Sequence, residues 1–222
     1  MSQFGKKDKE TFVKYYNKML VLINKLTQSG KINSNHVEEM KGLHEILRYV
    51  NSTFSSINNL DLVTRDPQKR SLFLSTIREF SFDAKTIDDL WWVTTVSACL
   101  RYYWIIESSL LILLKYVKYD DEKDKNVKGD ENLGRLKNTV FKKLGICDYF
   151  FWNDVDISFR NALAHGWFLV KDNRFTYYQN SQLKNPRQIG QNDFIIKVRI
   201  IYLMSMAISG SIGKWETLDE LI

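Results

Sequence analysis

Arg160, Asn161 and His165 are the residues of this chain whose types and spacing best suit chemistry. They stand in the run Arg160-Asn161-Ala162-Leu163-Ala164-His165-Gly166. On a helix, Asn161 and His165 are four residues apart and share a face. Arg160 lies about 140° round from His165 by helical geometry, and its long side chain can reach the same groove. An imidazole ordinarily titrates near neutrality, so it can take or give a proton. A guanidinium offers a fork of N–H donors to a phosphate and steadies charge that grows on it. The same residue types near a helix end also cap carbonyls and pair with neighbours, so the run by itself admits both readings.

Few other motifs compete. The chain has no glycine-rich phosphate loop, no Gly-x-Ser-x-Gly and no paired-histidine metal motif. His36 and His44 lie eight apart on a predicted helix and read as surface or boundary residues. The two cysteines, Cys99 and Cys147, sit in apolar stretches without Cys-x-x-Cys or Cys/His spacing. They read as buried reduced thiols, which points to an intracellular, cytoplasmic setting with no metal and no cofactor. Met1 to Lys9 is polar, so no secretory leader opens the sequence, and the apolar run Ile200 to Ile212 is short for a membrane span. Charge is uneven within the formal net of +6. Residues 120–131 hold six acids and three lysines, whereas residues 134–199 hold eleven basic residues against five acids. The basic excess surrounds the Arg/Asn/His run and suits an anionic partner.

The elements that must position this run are mostly helices. Two prolines and ten glycines in 222 residues leave long stretches without helix breakers. Phe12, Tyr16, Met19, Ile23 and Leu26 predict a helix over 9–29, with Gly30 at its end. A second is predicted over about 35–57, and Asp66-Pro67 starts a third that reaches about 80. From Thr86 a capping pattern leads into a segment, Leu90 to Tyr119, that is apolar on nearly every face, as expected of a central buried helix. Ser97, Arg101 and Ser108 form one polar stripe on it, while Glu107 falls among Tyr103, Leu110, Leu111 and Leu114. A buried carboxylate must be paired, and Arg101 and Arg160 are both candidate partners. Residues 119–131 read as a charged loop, followed by a short helix over about 133–144 stopped by Gly145. Asn153 or Asp154 can cap the motif helix, which ends at His165 with Gly166 as its left-handed terminator. Trp167–Val170 and Arg174–Gln179, joined by Lys171-Asp172-Asn173, predict a β-hairpin, and a last helix spans about 193–212. The fold class is therefore all-α in the main.

The run Arg160-Asn161-Ala162-Leu163-Ala164-His165 resembles the R-N-x-x-A-H form of the Rx4–6H signature of HEPN domains. The resemblance covers about residues 86–212 and implies a HEPN-like helical bundle over 81–222, carrying the hairpin at about 167–179, with residues 1–80 as an added N-terminal helical layer packed on it. It implies a metal-independent endoribonuclease that works as a homodimer, with two signature segments facing each other across a cleft. His165 would assist proton transfer as a 2′-hydroxyl attacks the adjacent phosphate, Arg160 would hold that phosphate, and Asn161 would position a phosphate oxygen or the imidazole. Glu107, in an earlier long helix, looks like the acidic residue that approaches the signature arginine in such domains, with Arg101 as a further supporting residue. The setting implied is a toxin or phage-defence effector, with an antitoxin or nucleotidyltransferase-like protein as partner. The alternative is a non-catalytic HEPN-like module that binds a protein or nucleotide. Trp152, Trp167, Arg174, Lys142 and Lys143 are further RNA-contact candidates, with Tyr177 and Tyr178 beside Arg174 on the hairpin. Stacking on unpaired bases is one use for the aromatics, and core or dimer packing the commoner one. A membrane-surface role fits poorly, because the long apolar segment lacks a basic amphipathic face.

Overall fold

The computed structural model describes residues 5–33, 87–115, 117–120, 125–128, 131–180 and 182–213. The helices predicted over 35–57 and 66–80, His36, His44 and the Thr86 cap lie outside them. The described chain is mostly helical, as its breaker-poor composition predicts. It comprises α1 (Lys6–Gln28), α2 (Ile87–Leu113), β1 (Lys118–Asp120), β2 (Lys125–Asn126), α3 (Leu133–Arg135), α4 (Ile157–His165), β3 (Phe168–Lys171), β4 (Arg174–Tyr177), β5 (Arg187–Gly190) and α5 (Gln191–Gly213).

The long helices pack through α5, which touches both α1 and α2. Ser205, Ala207, Ser209 and Ser211 of α5 are buried in this packing. Ser205 and Ser211 donate their hydroxyls to carbonyls three residues back, so neither is left unpaired. Phe12, Met19, Leu22 and Leu26 bring the apolar face of α1 into the same core, and Arg199 of α5 pairs with Asp8 of α1 at its edge.

Three local differences from the sequence reading have physical causes. The apolar segment stops being helical at Leu113. Val117 and Tyr119 leave it for a short ribbon in which Val127 N–H donates to the Val117 carbonyl at 3.1 Å. The helix predicted over 133–144 begins as α3 and widens into π geometry over Leu136–Phe141, before Gly145 ends it at φ +66°. The hairpin gains a third strand, giving an antiparallel sheet of order β3-β4-β5. β5 went unread because Arg187-Gln188-Ile189-Gly190 offers a single apolar side chain.

Two helical stretches, Trp91–Leu113 and Gln191–Ile212, are long and apolar enough to cross a membrane, where the sequence reading found none. Arg101 and Glu107 interrupt the apolar run of the first, and Asp193, Lys197 and Arg199 that of the second. In the fold, 56% and 67% of their apolar windows are buried, so other parts of the chain cover most of that surface.

Candidate active site

The motif lies on α4, a nine-residue helix capped at both ends. Asp156, rather than Asn153 or Asp154, is its N-cap, and its carboxylate accepts from the Phe159 N–H at 2.9 Å. Three further elements grip this residue. Lys197 of α5 forms an ion pair with the carboxylate at 2.9 Å, Tyr177 of β4 donates to it at 3.2 Å, and Tyr103 of α2 donates to the Asp156 carbonyl at 3.2 Å. At the other end Gly166 adopts φ +68°, as the sequence predicts, and Trp167 N–H closes back on the Ala162 carbonyl at 2.9 Å.

The Asp156 clamp is also electrostatic. Burial alone would raise its pKa. Hydrogen bonds from Lys197 and Phe159 N–H, the Lys197 charge and the Tyr177 hydroxyl outweigh burial and hold the group below its ordinary value. A depressed carboxylate stabilises the fold above its unfolded pKa of about 3.9 and loses that contribution as pH falls through the lower folded value. Asp156→Ala should therefore lower stability by about 1–2 kcal/mol at neutral pH. Urea unfolding at pH 7 and pH 3 should show the wild type losing more of its stability with acid than the variant does.

Gly166 supports a second prediction. A Cβ there meets nothing within 4 Å, so only the left-handed backbone resists a side chain. Gly166→Ala should cost about 1 kcal/mol and Gly166→Asn less, read as melting temperature.

Within this frame Arg160 pairs with Glu107 of α2, and its Nη1 donates to Asn161 Oδ1 at 3.3 Å. Glu107 thus takes Arg160, not Arg101, as its partner. Arg101 is exposed on α2, along the stripe that includes exposed Ser97. The pair is largely shielded, with 20% of the Arg160 side chain and 11% of Glu107 exposed. A guanidinium carries five N–H donors. Glu107 and Asn161 engage two, so others remain for a ligand. His165 is exposed, and its ring stacks on Trp167 at 4.6 Å and 26°.

The other candidates separate. Trp152 is not at the surface: it is 4% exposed and packs edge-on against Phe141 at 4.8 Å, an apolar environment that claims its whole ring. Phe150 and Phe151 are core as well. Tyr177 is buried, with its hydroxyl used by Asp156. Lys142 and Lys143 are exposed just after the π segment, and Arg174 is exposed on β4. Of the cysteines, Cys99 is buried, which pushes its thiol pKa up, whereas Cys147 is only partly buried, contrary to the reading of two buried thiols. Among the described residues no three His, Cys, Asp or Glu side chains gather as a metal site.

No protein-family model, curated protein or solved structure matches the chain.

Proposed function

We propose that the protein is a HEPN-type endoribonuclease that cuts RNA without a metal ion, as a cytoplasmic homodimer in a toxin or phage-defence role. The observation that carries this reading is the condition of the motif: a shielded Arg160 held by Glu107 and Asn161, on the helix that ends in an exposed His165. The exposed imidazole is within reach of a ligand. In the reaction the substrate's O2′ bonds to the adjacent phosphorus and the P–O5′ bond breaks. The 2′-hydroxyl proton passes to an imidazole and O5′ gains a proton, leaving a 2′,3′-cyclic phosphate and a 5′-hydroxyl. Arg160 holds the non-bridging oxygens as their charge grows. The Asn161 carbonyl is taken by Arg160, which leaves its amide N–H groups to donate to the phosphate or the imidazole.

Purified protein incubated with total RNA in EDTA tests this reading through the ends produced. Cyclic phosphates and 5′-hydroxyls are expected; intact RNA removes the proposal. One feature favours the non-catalytic alternative. Glu107 already neutralises Arg160, as in an ion pair kept only for structure. In that case the protein leaves RNA intact and instead binds a protein or nucleotide.

A further inference from the structure

The three-stranded sheet has two unlike faces. Phe168, Val170, Phe175, Tyr177 and Ile189 point toward the helices, where Phe175 meets Phe194 of α5 at 4.7 Å and Phe159 of α4 at 5.6 Å. Side chains alternate along a strand, so Leu169, Lys171, Arg174, Thr176 and Gln188 occupy the outer face. The ladder continues one pair beyond the strands, because Tyr178 N–H donates to the Trp167 carbonyl at 2.9 Å. Alternation places Tyr178 on this outer face, at the edge where half-buried Trp167 packs against the core.

Its residues follow an order. Trp167 and Tyr178 stand at the end nearest the motif, and Trp167 carries the His165 ring on its own. Leu169, Thr176 and Gln188 form the next row across the three strands, and Lys171 and Arg174 the row after that. From residue 167 to residue 171 the strand advances about 13 Å. Gln188 ties the middle together, accepting from Arg174 at 3.2 Å and donating to Thr176 at 3.3 Å. Among the described residues, two cations and no acid lie on the face; the nearest acid by sequence, Asp172, is in the turn. Leu169, Lys171, Arg174 and Gln188 are exposed, and Trp167 and Tyr178 are half-buried.

Aromatic rings beside cations on an open sheet face are the parts that hold single-stranded nucleic acid: rings stack on unpaired bases, and cations follow the phosphates. We propose that the outer face of β3-β4-β5 is the track for single-stranded RNA flanking the phosphate at His165. A base stacks on Tyr178, beside the Trp167–His165 pair, and Lys171 and Arg174 hold the phosphates further out. This rests on the ribonuclease reading, and a binding measurement separates the two.

The probe is a fluorescein-labelled, fully 2′-O-methylated 12-nucleotide single strand, which cannot be cleaved by 2′-hydroxyl attack, titrated with protein and followed by anisotropy. Tyr178→Ala should weaken binding about tenfold, and Tyr178→Phe should bind as wild type does. Lys171→Glu combined with Arg174→Glu should weaken binding at least as much, whereas Lys6→Glu with Lys7→Glu on α1 should have far less effect. Lys171→Ala with Arg174→Ala should flatten the dependence of log affinity on log salt by about 0.7 for each phosphate that is no longer neutralised. The matching duplex should bind less tightly than the single strand. Wild-type affinity in the sheet variants, or no binding of the single strand by the wild type, overturns the track. Binding that depends on the sheet in a protein that leaves cleavable RNA intact sinks the ribonuclease reading and leaves the track standing. Cleavage by the wild type with unaltered binding in the variants does the reverse.

Discussion

His165→Ala is expected to slow RNA cleavage by at least about a hundredfold while the protein melts close to the wild-type temperature. A positioned general acid or base contributes roughly 10²–10⁴ in rate. The His165 ring is exposed, and its packing partner is Trp167, so little stability depends on it. Arg160 calls for a different substitution. Arg160→Ala leaves Glu107 shielded from water without its partner, and a carboxylate in that position costs stability as well as function. Arg160→Lys keeps the charge but removes the fork that can hold Glu107, Asn161 and a phosphate together. It should lower cleavage about 10²–10³-fold, the scale expected when one donor to a developing oxyanion is removed. The readout is single-turnover cleavage in EDTA with end mapping, alongside thermal melting. Undiminished cleavage in both variants would remove His165 and Arg160 from the chemistry.

The largest loss of stability is expected from Phe159→Ala. This ring, 0% exposed, lies among Tyr103, Phe175, Tyr177 and Phe194, with centroids 5.1 to 6.4 Å away. The Lys197 ammonium sits 4.9 Å from its centre. It therefore joins α4 to α2, β4 and α5 at one point. Emptying such a site costs about 3–5 kcal/mol, a large share of the roughly 5–15 kcal/mol that holds a domain folded. Phe159→Leu keeps most of the volume and should cost far less. Urea unfolding gives both values, and a wild-type midpoint for the alanine variant would show that the aromatic cluster does not hold α4.

The motif helix was legible because its terminators are local. His165 followed by Gly166 announces a left-handed end, and the structure puts that end where the residues say. Its beginning was misread by two or three residues, because Asn153, Asp154 and Asp156 are all good caps and only packing chooses among them. Val155 is buried, which pulls the cap to Asp156 and leaves Asn153 and Asp154 exposed. Glu107 was legible as a carboxylate needing a partner; which arginine answered it was not. Arg101 is six residues away along the same helix, on the exposed side, while Arg160 is brought in from 53 residues away. Trp152 and Trp167 look alike in sequence, yet one completes a core of rings and the other stacks beside the imidazole. The short strands were the least legible part. β5 takes its order from the β4 ladder rather than from its own side chains.

At nine residues, α4 is too short to persist in water by itself. Its frame includes Phe194 and Lys197, which follow the motif by about thirty positions. A chain emerging from the ribosome therefore exposes the Arg160 to His165 segment before it can hold that segment's shape. The arrangement proposed for catalysis is complete only when α5 has docked, so a truncated or half-made chain carries the motif without its geometry.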